Sequence, residues 1–404
     1  MNTTSGPVAS LTRVLATTVF ALLLPLGNAH GKAFRILYSF CSQANCADGA
    51  TPAASLLADA AGNLYGTTAR GGSHGSGTIF RLAPDGIETV LYSFTGANDG
   101  GPPAGSLIAD PQGNLYGTAA GGADGEGVVF KLMPDGSETA LYAFTGGNDG
   151  GPPFGSLILD TQGNLYGVGG GGHQSCFGGC GAVFKVAPDG AEKVLYAFCA
   201  EAKCADGEFP NGELIADEAG NLYGTTQSGG ANGIVAAGTV FELEKTGEQK
   251  VLWSFCSAAG CSDGEFPRAG LIRDRSGNLY GTTLYGGAPV GTVFRLAPDG
   301  AETVLYGFTG GSDGGNPAAR LMRDRRGDLY GTTSEYGSKC IESGIGGCGT
   351  VFKLAPSGGF SVLHSIGRQF RSVSGVIADD RGSLYGTTPR GGAHKVGTVF
   401  AIKQ

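Results

Sequence analysis

Gly62-Asn63-Leu64-Tyr65-Gly66-Thr67-Thr68 places an aromatic and two β-branched residues after a Gly-Asn turn signal. It recurs with its tyrosine at Tyr65, Tyr116, Tyr166, Tyr223, Tyr280, Tyr330 and Tyr385, at spacings of 51, 50, 57, 57, 50 and 55 residues. A second segment, Gly77-Thr78-Ile79-Phe80, recurs with phenylalanine at Phe80, Phe130, Phe184, Phe241, Phe294, Phe352 and Phe400. A third, Val90-Leu91-Tyr92-Ser93-Phe94, has its aromatic position at Tyr38, Tyr92, Tyr142, Tyr196, Trp253, Tyr306 and His364. Three independent motifs agree on seven copies. A period of about 50 residues marks a tandem array in which each unit buries its faces against its neighbours.

Each unit reads as four short strands, here called A to D. In the second copy they cover residues 106–110, 114–118, 127–132 and 138–144. These runs are rich in β-branched and aromatic residues and are bounded by turn signals. Asp110-Pro111-Gln112-Gly113 connects A to B, and Pro134-Asp135-Gly136 connects C to D. Proline presets φ and glycine takes the positive φ such turns need. Seven four-stranded antiparallel meanders predict an all-β fold, a seven-bladed β-propeller. The chain ends say how the ring closes. Residues 35–40 form a strand D with no A, B or C before it, and the last unit stops after its strand C at residues 398–401. The N-terminal strand is therefore expected to pair into the last blade and remove two open edges.

Taken together, Gly62-Asn63-Leu64-Tyr65-Gly66-Thr67-Thr68, Gly71-Gly72, Gly77-Thr78-Ile79-Phe80, Asp85-Gly86 and Val90-Leu91-Tyr92-Ser93-Phe94 resemble the GloVer-type (Gloeobacter/Verrucomicrobia) tandem repeat of exported bacterial proteins. The resemblance extends over nearly all of the chain beyond its first residues. It implies export and the repeat fold, and it implies no established activity.

Residues 1–29 read as a signal peptide. Arg13 precedes an apolar run at 14–24, and Gly27-Asn28-Ala29 supplies small residues for cleavage. That run is too short to span a bilayer. Residues 30–404 are expected to form one propeller domain, with no C-terminal hydrophobic tail and no membrane span. Ten cysteines fall into five local pairs: Cys41/Cys46, Cys176/Cys180, Cys199/Cys204, Cys256/Cys261 and Cys340/Cys348. Behind an export signal these read as disulfides of a secreted, periplasmic or extracellular protein. A structural zinc site needs four ligands, and no second pair lies nearby in the same repeat, so no metal site is assigned. A net charge of −8 without a basic cluster argues against nucleic acid as a partner. A monomer is expected.

The residues common to all blades are expected to build them. Asp59, Asp110, Asp160, Asp217, Asp274, Asp324 and Asp379 each precede an x-x-Gly turn, which a side-chain-to-backbone hydrogen bond would fix. The aspartates of the D–A loops, such as Asp48 and Asp99, receive the same reading. Function should lie where the repeat is broken. The D–A and B–C loops share one face of the disc, vary in length and carry all five cysteine pairs. Variable loops on a rigid scaffold are the usual seat of binding. Just before the first apolar residue of strand A most units have Ser or Gly, but two have Glu213 and Arg320. Arg268 and Arg371 lie close by in their own units, and Arg70 and Arg390 precede the B–C glycines of the first and last blades. These six form the candidate ligand face, suited to an anionic or glycan ligand. No catalytic residue or cofactor is assigned. The expected role is a non-catalytic scaffold binding an extracellular glycan or protein through its loop face. The alternative is an extracellular glycan-active lyase or hydrolase with an axial site near Glu213 and Arg320.

Overall fold

Seven separate antiparallel sheets account for the β-structure of the computed structural model. It describes residues 33–172, 176, 179–231, 237–287, 290–338, 348–367, 370 and 374–403. In blade 2 the ladder runs Ile108–Ala109, Leu115–Ala119, Val128–Leu132 and Glu138–Ala143, each strand beside the next in sequence. The other blades repeat this order, and blade 4 gains Glu208–Pro210, also paired to its strand B. Strand A is shorter than the sequence implied, two ladder residues in most blades. The cause is local. Ser55 N donates to Ser106 Oγ of the next blade, and Ser106 N to Ser156 Oγ of the one after, so these amides serve the ring instead of their own sheet.

The ring closes as expected. Phe34–Ser39 pairs antiparallel with Thr398–Ile402, from Phe34 opposite Ile402 to Ser39 opposite Thr398, with a bulge between Ile36 and Tyr38. Blade 7 also reaches blade 1 through Thr387 Oγ1, which donates to the Ala54 carbonyl at 3.0 Å. Equivalent threonines bridge other blades, as Thr118 does to Gly155 and Thr225 to Ala269.

The core lies between blades, in seven hydrophobic clusters that each join two neighbours. At six interfaces the phenylalanine ending one strand D meets the strand C phenylalanine of the next blade. Phe40 meets Phe80 at 4.9 Å between centroids and Phe308 meets Phe352 at 5.3 Å, all edge-to-face and fully buried. Burying each such ring contributes roughly 2–3 kcal/mol, with up to about 1.5 more from ring geometry. At the seventh interface Ile366 replaces the first ring, and Phe34 and Phe370 pack around Phe400. The glycine of Leu-Tyr-Gly-Thr has a packing reason: a Cβ on Gly66 would sit 2.6 Å from the Phe80 ring and 2.9 Å from Leu56.

Cysteines staple the loops. Cys41–Cys46, Cys176–Cys180, Cys199–Cys204 and Cys256–Cys261 are disulfides. Cys348 is disulfide-bonded too, while Cys340 lies outside the described residues. Four such bridges suit an oxidising compartment. Among the described residues no helix is long and apolar enough to cross a membrane. The expected signal peptide lies outside them.

Candidate functional site in the axial channel

The repeated polar residues are consumed by the blades. Asp59 accepts from the backbone N–H of Ala61 and Asn63, from Asn63 Nδ2 and from Tyr65 Oη. Burial resists its ionisation, but these hydrogen bonds prevail and hold its carboxyl below the usual aspartate range. In a D–A loop, Asp48 is held likewise, accepting from Tyr38 Oη at 2.8 Å and Ser42 N at 2.9 Å, and the other aspartates of these loops are hydrogen-bonded to their own loops in the same way. The turn reading of both sets therefore stands.

One repeated group is left unsatisfied. The strand D glutamates Glu88, Glu138 and Glu192, and Glu302 of blade 5, are half-buried at blade interfaces and keep at least one oxygen without a hydrogen-bond partner. Desolvation, reinforced by the negative charge of Asp48, pushes Glu88 up to about 7. Tyr38 lies alongside, but its single proton already goes to Asp48. Desolvation likewise raises Glu138, Glu192 and Glu302 to about 7, each beside an aspartate of a D–A loop. The remaining interfaces avoid this charge. Gln249 donates to the Asp206 carbonyl at 3.1 Å, Phe360 stacks on Tyr306 at 3.9 Å, and Phe34 stacks on His364 at 4.1 Å.

The chemistry that departs from the repeat converges on the axis. Residues from all seven blades line a channel of about 700 Å³. Around one end runs the position before strand A: Ser55, Ser106, Ser156, Glu213, Gly270, Arg320 and Gly375. Strand A is entered from the D–A loops, so this end opens on the loop face. The belt is hydrogen-bonded from blade to blade. Beyond the serine links already described, Ser156 Oγ donates to Glu213 Oε1 at 2.6 Å. Arg320 Nη1 donates to Glu213 Oε2 at 2.9 Å, and Arg320 Nε to the Leu271 carbonyl at 3.2 Å. Arg320 of blade 6 thus reaches past blade 5 to blade 4. Gly270 leaves the room, since a Cβ there would lie 2.8 Å from the Glu213 side chain. The pair is accessible from the channel, with 41% of the Arg320 side chain and 19% of that of Glu213 exposed.

Of the six expected ligand-face residues, the structure joins these two. Arg70, Arg268 and Arg390 are exposed but lie away from the channel lining. The backbones of Arg70 and Arg390 anchor their loops, accepting from Thr68 Oγ1 and Thr388 Oγ1. Arg371 lies outside the described residues. Two channel residues escaped the sequence reading. Arg273 and Arg323, at the far end of strand A, line the same cavity. Their signal was present: they stand where Ala58, Ala109, Leu159, Ala216 and Ala378 stand in the other blades.

The cysteines also differ from expectation in one respect. The Cys176/Cys180 pair of a B–C loop lies against Cys199/Cys204 of the following D–A loop. The sulfurs of Cys176, Cys180 and Cys199 are within 4.8 Å of one another, and Cys176 is equally near Cys204 and Glu208. A second pair is therefore nearby after all. As disulfides these sulfurs carry no thiolate with which to hold a metal.

Comparison with known proteins places the repeat. The family model described as the Gloeobacter/Verrucomicrobia repeat matches residues 17–233, 178–341 and 235–404 in overlapping stretches. No curated protein matches. Among solved structures, a structural-genomics target named as a gluconolactonase is similar at 14% identity and a TM-score of 0.46, over 92% of each chain. A luciferin-regenerating enzyme is similar at 14% identity and a TM-score of 0.44, over 75% of this chain and 91% of its own. Similarity at that level transfers nothing about activity. Three overlapping matches that together run from residue 17 to residue 404 make this chain a member of the Gloeobacter/Verrucomicrobia repeat family.

Proposed function

We propose that the protein is an exported binding propeller, without catalysis of its own, that takes an extracellular glycan or protein ligand at the loop-face mouth of its axial channel. One observation carries this reading. The two charges of the belt are engaged with each other at 2.9 Å, and Ser156 occupies the second oxygen of Glu213. A carboxylate whose two oxygens are already engaged, one by a guanidinium and one by a hydroxyl, is committed to the belt rather than presented to a substrate. The same belt suits recognition: three serine hydroxyls and one accessible ion pair offer directional donors and acceptors on a preorganised scaffold. The disulfides of the neighbouring loops support life in an oxidising compartment.

The second reading is a glycan lyase or hydrolase, favoured by the room beside Glu213 and Arg320 in a channel of about 700 Å³. A glycan array and a hydrolysis screen on the secreted chain separate the two. Binding without turnover, weakened in Arg320→Ala, supports the scaffold. Release of new reducing or unsaturated ends, lost in Glu213→Gln, overturns it in favour of the enzyme.

A further inference from the structure

We infer that the opposite mouth of the channel, on the face of the A–B and C–D turns, docks an acidic polysaccharide through Arg273, Arg275 and Arg323. The inference does not rest on the loop-face reading, because these residues lie at the other end of strand A. It begins from a break in the repeat. The A–B turns of blades 5 and 6 read Arg273-Asp274-Arg275-Ser276-Gly277 and Arg323-Asp324-Arg325-Arg326-Gly327, where blades 1 to 4 carry no arginine. Five arginines thus gather on two adjacent turns of a chain whose net charge is −8.

Their mounting is specific. The Arg273 guanidinium lies 6.0 Å over the Tyr223 ring and that of Arg323 5.9 Å over the Tyr280 ring. Both rings are fixed: Tyr223 Oη lies within hydrogen-bond distance of both Asp217 and Glu242, and Tyr280 Oη donates to Asp274. A guanidinium laid on an aromatic face keeps its in-plane N–H groups outward, set for two-point contact with a carboxylate. The nearby acids do not neutralise these groups. Asp274 is committed to the amides of Ser276 and Asn278, and Asp324 to those of Arg326 and Asp328. Arg326 pairs with Asp324 and Asp328, and Arg325 with Asp380. Arg273, Arg275 and Arg323 form no ion pair among the described residues.

The space fits a single flexible chain. Arg273 and Arg323 line the channel, while Arg273 and Arg275 line a cleft of about 310 Å³ between blades 4 and 5 that also presents Tyr223, Pro298 and one carboxylate, Glu242, which is hydrogen-bonded to Tyr223 Oη at 2.9 Å and forms no ion pair with the three arginines. Arg273 belongs to both, so a chain bearing a carboxylate on successive sugars can run from cleft to channel mouth. Duplex nucleic acid is too broad for either depression. A lipid surface would want apolar anchors. The exposed large hydrophobics Ile36, Ile87, Tyr285 and Tyr336 belong to other parts of the ring.

The test is calorimetric titration of the intact secreted chain with oligogalacturonate, at low and physiological salt. Neutral malto-oligosaccharide, duplex DNA and phosphatidylglycerol vesicles serve as counter-probes. The expected result is salt-sensitive binding of oligogalacturonate alone, weakened about tenfold or more in Arg273→Ala/Arg323→Ala and unchanged in Arg70→Ala/Arg390→Ala. These side chains are exposed, so folding is preserved and is checked by circular dichroism. Absence of oligogalacturonate binding overturns the inference, as does equal binding of DNA or vesicles. Loss of binding in Arg320→Ala but not in Arg273→Ala/Arg323→Ala overturns it while supporting the loop-face site.

Discussion

Replacing Glu88 by glutamine is expected to stabilise the protein at alkaline pH and to do little near pH 5. The carboxyl sits at a blade interface beside Asp48, with both oxygens unsatisfied, and desolvation lifts it from 4.5 to about 7. A folded-state value above the unfolded one means the native protein binds the proton more tightly. Its contribution is fully present below about pH 4.5 and is lost as pH rises through about 7. At 1.36 kcal/mol per pH unit the full shift would correspond to roughly 3 kcal/mol, and solvent screening at a half-buried group reduces this to about 1 kcal/mol. Blade 4 already carries the substitution, for Gln249 occupies the equivalent place and donates to the Asp206 carbonyl. The four interfaces are separate, so Glu88→Gln, Glu138→Gln, Glu192→Gln and Glu302→Gln should add to about 4 kcal/mol at pH 8. Urea denaturation between pH 5.5 and 8 reads this, in a window above the titration of Asp48, Asp99 and Asp149, which lie below the usual aspartate range. A gain in Glu88→Gln that is the same at both ends of the window, or a loss of stability at pH 8, would refute the reasoning.

Other consequences are more local. Phe94→Ala removes one ring of an interblade pair with Phe130 and should cost about 3–5 kcal/mol in urea denaturation; a cost under about 1 kcal/mol would deny that the core lies between blades. Gly117→Ala places a methyl 2.6 Å from the Phe130 ring and is expected to destabilise by about 1–3 kcal/mol through overpacking. Arg320→Ala should change stability by less than about 1 kcal/mol, because its side chain is well exposed. Any large effect of that substitution should therefore be on ligand binding. Mass mapping without reduction should find the four described bridges closed, and free thiols at those positions in secreted protein would contradict the compartment assigned here.

The blade count and the closing strand were legible because each blade repeats one solution to the same packing problem. The glycine under each phenylalanine and the aspartate in each turn cannot vary without damage, so they return seven times. The channel was less legible. Glu213 and Arg320 stand out in the sequence, but their meeting depends on the curvature of the ring and on Gly270, which leaves the path between two blades that are not adjacent. The approach of Cys176/Cys180 to Cys199/Cys204 depends in the same way on how two loops fold back over one face. Arg273 and Arg323 were overlooked for another reason. Attention to variable loop lengths favours one face, whereas these two differ from the repeat by side chain alone, within turns of constant length.

Closure of the ring rests on the strand from Phe34 to Ser39. Native-state hydrogen exchange of the intact chain tests it most directly. The account predicts that amides of Phe34–Ser39 and of Thr398–Ile402 exchange slowly and together, as one cooperative unit. Fast exchange in the N-terminal strand while the rest of blade 7 stays protected would contradict it.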